Sequence, residues 1–192
     1  MTALSGAVHK SMRRASCSAR IASLFSRANE GRERLSMPET LLYLEDFHIG
    51  RRFAAGPIPV SEEAIIAFAK EFDPQPFHTD PEAAKHSIFK GLAASGWHTL
   101  GLTMRLLVEN GPAMAGGWVG FGAEVSWTRP VRPGDELSVE CEVIDVTPSA
   151  SKPNQAIITF RMETTNQKSE TVQVLTTKNL AFKRGYAPGD KT

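Results

Sequence analysis

Residues 90–112, KGLAASGWHTLGLTMRLLVENGP, decide the fold. Trp97, Leu100, Met104, Leu107 and Val108 recur at helical spacing and Asn110-Gly111-Pro112 supplies a stop, so the run predicts one long apolar helix. Such a helix is expected at the buried centre of its domain. Gly96 and Gly101 each cost a helix interior about 1 kcal/mol, and close backbone approach is the expected reason for both.

Downstream the apolar period shortens to that of a strand. Val119, Phe121, Ala123, Val125 and Trp127 alternate with small or polar residues, as do Leu137, Val139, Cys141 and Val143. Ile158, Phe160 and Met162 follow, then Val172 and Val174, with Leu180 and Phe182 last. Turn chemistry at Arg132-Pro133-Gly134-Asp135, Pro148 to Pro153 and Asn166 to Ser169 separates them. The pattern predicts a four-strand antiparallel meander, with a first strand expected near Leu41 to Phe53.

Upstream, Ser61 suits a helix N-cap, Glu62 and Glu63 suit the first turn, and Ile65, Phe68, Ala69 and Phe72 share a face until Pro74 ends the run. Asp80-Pro81-Glu82 reads as the start of another short helix. The layout is α+β, an antiparallel sheet wrapped around a long central helix. The apolar strand Val119 to Trp127 and the sheet edges favour pairing with a second subunit, so a homodimer is expected.

The chain has 192 residues, 41% hydrophobic and 22% charged, which fits one globular domain. No apolar run reaches the roughly 18 residues of a membrane span. Its net charge of +1 hides an asymmetry: residues 1–36 hold seven basic residues against two acids, leaving 15 against 19 in residues 37–192. A mildly acidic domain argues against a nucleic-acid surface. The leader, rich in Arg, Ser and Ala, reads as a transit-like or disordered segment, or as sequence upstream of a true start at Met37. The domain is therefore assigned to residues 37–192, with a cytoplasmic location expected, or a mitochondrial matrix one if the leader is a transit peptide. Cys17 and Cys141 make no disulfide framework, and the five histidines lack metal-site spacing, so no metal is expected.

Between the two short helices lies EFDPQPFHTDP, residues 71–81, in which three prolines restrain an acid and a histidine five positions apart. DPQPFHTD resembles the Asp-x-Asn-Pro-x-His-x-Asp signature of the MaoC-like, R-specific enoyl-CoA hydratases, and TRPVRPGDEL resembles a strand entry shared by many hot-dog proteins. The resemblance runs from about Tyr43 to Lys183. It implies a hot-dog fold and reversible hydration of an enoyl-CoA to the (R)-3-hydroxyacyl thioester, with the acyl-CoA as partner and no separate cofactor. By motif position, Asp73 and His78 would hold and activate water, and the Gly96 N–H, with Ser95 beside it, would receive the thioester oxygen. Gln75 stands where the family usually has Asn, and Phe72 where it usually has Gly; Gln75 is expected to bond the water or orient Asp73.

Reference pKa values of about 4 and about 6.5 let an Asp and a His hold opposite protonation states near neutrality. Asp80 reads better as an N-cap than a catalyst, His98 as a packed or surface residue, and Cys141 as core. His48 and His86 have no assigned role. The glycines Gly116, Gly117, Gly120 and Gly122 lack dinucleotide-binding spacing, so no redox nucleotide is implied. Two alternatives keep the fold and change the activity: an acyl-CoA thioesterase, or a non-catalytic acyl-thioester-binding subunit.

Overall fold

The computed structural model describes residues 40–186, which fall within one compact unit. The leader, residues 1–36, and Met37 lie outside the described residues. After a single 3-10 turn at Leu44–Asp46 come β1 (Arg52–Pro59), α1 (Glu62–Phe72), α2 (Pro76–Thr79), α3 (Pro81–Lys85) and α4 (Gly96–Asn110). Four strands follow: β2 (Gly120–Trp127), β3 (Glu136–Pro148), β4 (Gln155–Thr165) and β5 (Thr171–Phe182).

The caps act as their residue types require. Ser61 Oγ accepts the Ala64 N–H at 3.1 Å to start α1, and the Asp80 carboxylate accepts the Glu82 and Ala83 N–H groups at 2.8 and 3.2 Å to start α3. Between them stands a turn of helix that the sequence reading treats as loop. Pro76 sits at its head, where a missing N–H costs nothing.

All five strands pair antiparallel, in the order β1-β3-β4-β5-β2. Two expectations are corrected here. The strands are not a simple meander, because β2 crosses the sheet to pair with β5 rather than with β3. The first strand begins at Arg52, since Leu44–Asp46 close a turn in which the Tyr43 N–H donates to the Asp46 carboxylate at 2.8 Å. Leu137, Val139 and Val143 of β3, Ile158, Phe160 and Met162 of β4 and Val172 and Leu175 of β5 form the core, with Leu106 and Leu107 of α4. Cys141 lies among them as expected, and burial pushes its thiol up to about 12, so it stays protonated.

Helix α4 crosses this sheet, but with a different side inward than its apolar spacing predicts. His98, Thr99, Thr103, Leu106 and Leu107 are buried, whereas Trp97 is 60% and Val108 53% exposed. The reason is a polar ladder into the sheet. Thr103 Oγ1 lies 2.9 Å from Thr164 Oγ1 on β4 and accepts the Gln173 amide N–H from β5 at 3.0 Å, while Gln173 Oε1 accepts the Trp127 indole N–H from β2 at 2.9 Å. Gly96 is explained by that indole, whose ring atoms would stand 2.6–2.9 Å from a Cβ there. Gly101 meets nothing within 4 Å, so close approach within the chain does not explain it.

No helix among the described residues is long and apolar enough to cross a membrane. His98 stacks on Phe68 of α1 with ring centroids 4.7 Å apart, and its Nδ1 is buried without a partner. Burial lowers its pKa from 6.5 to about 4. Above about pH 6.5 the ring is neutral in both folded and unfolded chains; below it the unfolded chain takes up the proton first, so stability falls between about pH 6.5 and pH 4. The total reaches about 3 kcal/mol. Denaturant midpoints measured at pH 7.5 and pH 5 are expected to drop less in His98→Phe than in the native sequence; equal drops would show that another group carries the acid sensitivity.

Candidate active site

The prolines of residues 71–81 do more than end a helix. Asp73 is the C-cap of α1, with φ −152° and its N–H donating to Ala69 O at 2.9 Å, which turns the chain sharply before Pro74. Helix α2 then returns His78 toward it. His78 Nε2 lies 3.5 Å from Asp73 Oδ2, and His78 is only 5% exposed.

The protonation pattern follows from the partners. His78 Nδ1 is 2.7 Å from the Ala93 carbonyl oxygen, which can only accept, so Nδ1 carries the hydrogen. A neutral His78 therefore turns a lone pair on Nε2 toward Asp73. Asp73 in turn receives Ser95 Oγ–H on Oδ2 and the Gln75 amide N–H on Oδ1, both at 2.7 Å. Burial raises the Asp73 pKa, but the hydrogen bonds from Ser95 and Gln75, joined by the field of His78 when its ring carries a second proton, outweigh it and hold the carboxyl below its ordinary value. Two proton acceptors thus lie side by side, at a spacing that lets one small donor in front of them meet both.

Ser95 has a second role. Its Oγ accepts the Trp97 N–H at 3.2 Å, which caps α4, and Gly96 is the first residue of that helix. The α4 N-terminus therefore opens beside the acid–histidine pair, with the orphan N–H groups and positive dipole end of any such terminus. A cavity of about 320 Å³ is reached from this group by His78 and Gly96 and is lined also by Phe89, Ala94, Trp127 and Arg129 among others; Asp73 stands behind His78, outside its lining. A hollow of similar volume between β1 and β3, bordered by Ala54, Ser138 and Glu140, contains no histidine.

All five residues singled out in the sequence, Asp73, Gln75, His78, Ser95 and Gly96, come together. Gln75 and Ser95 stand as donors to Asp73. Asp80 is a cap, His48 and His86 are exposed, and His98 packs on Phe68 away from this cavity. No metal-holding cluster of His, Cys, Asp or Glu occurs among the described residues. Sequence reasoning missed the Ala93 carbonyl, a backbone group without a side-chain signature. It also missed Trp127 and Phe89 as cavity walls, although the strand alternation had marked Trp127.

The MaoC like domain model matches residues 46–177. The uncharacterized protein YdeM of Bacillus subtilis strain 168 is 38% identical over 128 residues, covering 65% of this chain and 88% of its own. The crystal structure of the MaoC-like dehydratase from Rhodospirillum rubrum is 54% identical with a TM-score of 0.74, over 76% of this chain and 99% of that one. The R-hydratase PhaJ1 from Pseudomonas aeruginosa, at 22% identity and a TM-score of 0.59 over 78% of this chain and 96% of its own, shares the fold.

Because the two donors favour the ionised carboxylate, removing either must raise its pKa. Ser95→Ala and Gln75→Ala are each expected to move the Asp73 titration upward, read by carbon-13 NMR of the labelled carboxyl. An unmoved titration in both variants would show that these hydrogen bonds do not set its charge.

Proposed function

The chain belongs to the MaoC-like domain family, in which a dehydratase is a similar solved structure, and on that premise we propose that it hydrates a 2-enoyl thioester reversibly to the (R)-3-hydroxyacyl thioester. The observation that carries the reading is the pairing of Asp73 Oδ2 and His78 Nε2, two acceptors 3.5 Å apart beside the cavity. A water molecule has two O–H groups and meets both. As its oxygen adds to the β carbon, the pair takes one of its protons and returns a proton to the α carbon on the same face. One water is consumed and nothing is oxidised or reduced.

Negative charge develops on the thioester oxygen during this addition. The Gly96 N–H at the head of α4 is the donor proposed to meet it, where the helix dipole adds to the hydrogen bond. In this scheme Asp73 and His78 are catalytic and Gly96 binds substrate. Gln75 and Ser95 keep Asp73 ionised and aimed. The substrate is expected as the coenzyme A thioester.

Purified protein given crotonyl-CoA and longer or branched enoyl-CoAs should bleach the enoyl-thioester absorbance, and Asp73→Asn or His78→Ala should lower the rate by roughly 10²- to 10⁴-fold. Unchanged turnover in both variants would sink the assignment. Release of free thiol without hydration would point instead to thioester hydrolysis.

A homodimer is proposed from the outer surface. Strand β2 pairs on one side only, and Phe121 on it is 64% exposed. On α4, Trp97, Met104 and Val108 form an exposed apolar stripe with Gly101 open between them. A second copy covering both would remove this surface from water. Sedimentation at micromolar concentration is expected to give a dimer, and Val108→Glu with Phe121→Lys a monomer; a monomeric native protein would refute it.

A further inference from the structure

The strand entry before β3 contains Arg132, half-buried, and its guanidinium is spent entirely on backbone. Nη1 donates to Gly91 O at 2.7 Å and to Leu92 O at 2.9 Å, and Nη2 donates to Phe89 O. Among the described residues no carboxylate lies within ion-pair reach of it. The segment it grips runs straight into the site. Ala93 supplies the carbonyl that accepts His78 Nδ1–H, Ala94 N–H donates to Val131 O at 2.9 Å, Ser95 donates to Asp73, and Gly96 opens α4.

The gripping turn is itself fixed. Asp135, 8% exposed, accepts the Arg132 N–H at 2.7 Å and the Gln167 amide at 3.1 Å. Gly134 N–H donates to Val60 O and Val60 N–H to Asp135 O, each at 2.8 Å, tying the turn to the end of β1. A rigid fork of N–H groups can hold three carbonyls at once; a lysine ammonium on a flexible stem cannot hold them in the same plane.

We propose that Arg132 is a positioning residue for His78: by holding the carbonyls of Phe89, Gly91 and Leu92 it sets the Ala93 carbonyl, and that carbonyl fixes His78 in the Nδ1–H form with Nε2 free to accept. Arg132 touches neither the pair nor the reacting atoms. Without the clasp the Ala93 carbonyl moves off Nδ1, and the imidazole is free to take its other tautomer, which puts a hydrogen on Nε2 and removes an acceptor from the site.

The tautomer is read directly by nitrogen-15 NMR of labelled protein, with His78 assigned by comparison with His78→Ala. The native protein is expected to show the Nδ1–H form alone, and Arg132→Met a mixture of both. Only the kinetic arm rests on the hydration reading: there kcat should fall on the order of 10- to 100-fold with KM within about threefold, as expected of misplaced rather than missing groups. Arg132→Lys, which keeps the charge and loses the fork, should fall between them, and it decides the matter if Arg132→Met does not fold. A His78 that keeps the native tautomer in the folded variants overturns the proposal whatever the rate does. Native protein that turns over no enoyl thioester refutes the hydration reading and leaves the tautomer result to stand or fall by itself.

Discussion

The hydrogen bond from Ser95 Oγ to Asp73 Oδ2 joins two helix ends that lie 22 residues apart in the chain. On one side it closes α1, whose last turn ends at Asp73; on the other it belongs to the cap of α4, because the same oxygen accepts the Trp97 N–H. A hydroxyl both donates and accepts, so one atom can serve the carboxylate and the helix together. Alanine would lose both bonds. A carboxylate in its place would cap the helix but repel Asp73, so the site geometry narrows the choice to a small hydroxyl residue.

That constraint explains the polar underside of α4. With Ser95 turned toward Asp73, the positions that follow it on the inner face, Thr99 and Thr103, are directed at the sheet, and both hydroxyls return to backbone carbonyls one turn earlier. Thr103 also takes part in the ladder through Gln173 to Trp127. Burying a hydroxyl is tolerable only when it is bonded, and both threonines are. The consequence is at the surface: the apolar residues of α4 that are not needed inside, Trp97, Met104 and Val108, remain outside.

Much of this was legible in the sequence where the signal is local. Ser61, Asp80 and Pro81 announce helix starts because caps are satisfied within three residues, and Asp73 and His78 stand out because the prolines between them fix a short span. Strand order was not legible, since the crossing of β2 to β5 depends on pairing between segments some 50 residues apart in sequence. The inward face of α4 was misread for a related reason. Apolar spacing marks a surface that water leaves, but it does not say whether this chain's sheet or something else covers it. Ala93 was invisible, because a carbonyl belongs to every residue.

Gln75 shows how a departure from a family pattern can keep its physics. The amide stands where asparagine is usual, with one more methylene, and its Nε2 still reaches Asp73 Oδ1 at 2.7 Å. Its own backbone supports that reach: the Gln75 N–H donates to Asp73 O at 2.7 Å, drawing the two residues into a tight turn, and Thr79 Oγ1 donates to Gln75 O at 3.1 Å from the next turn. The tight turn leaves room for the longer side chain to fold back over the carboxylate. What Gln75 supplies at this position is an N–H donor on Oδ1, which leaves Oδ2 for Ser95 and the face shared with His78.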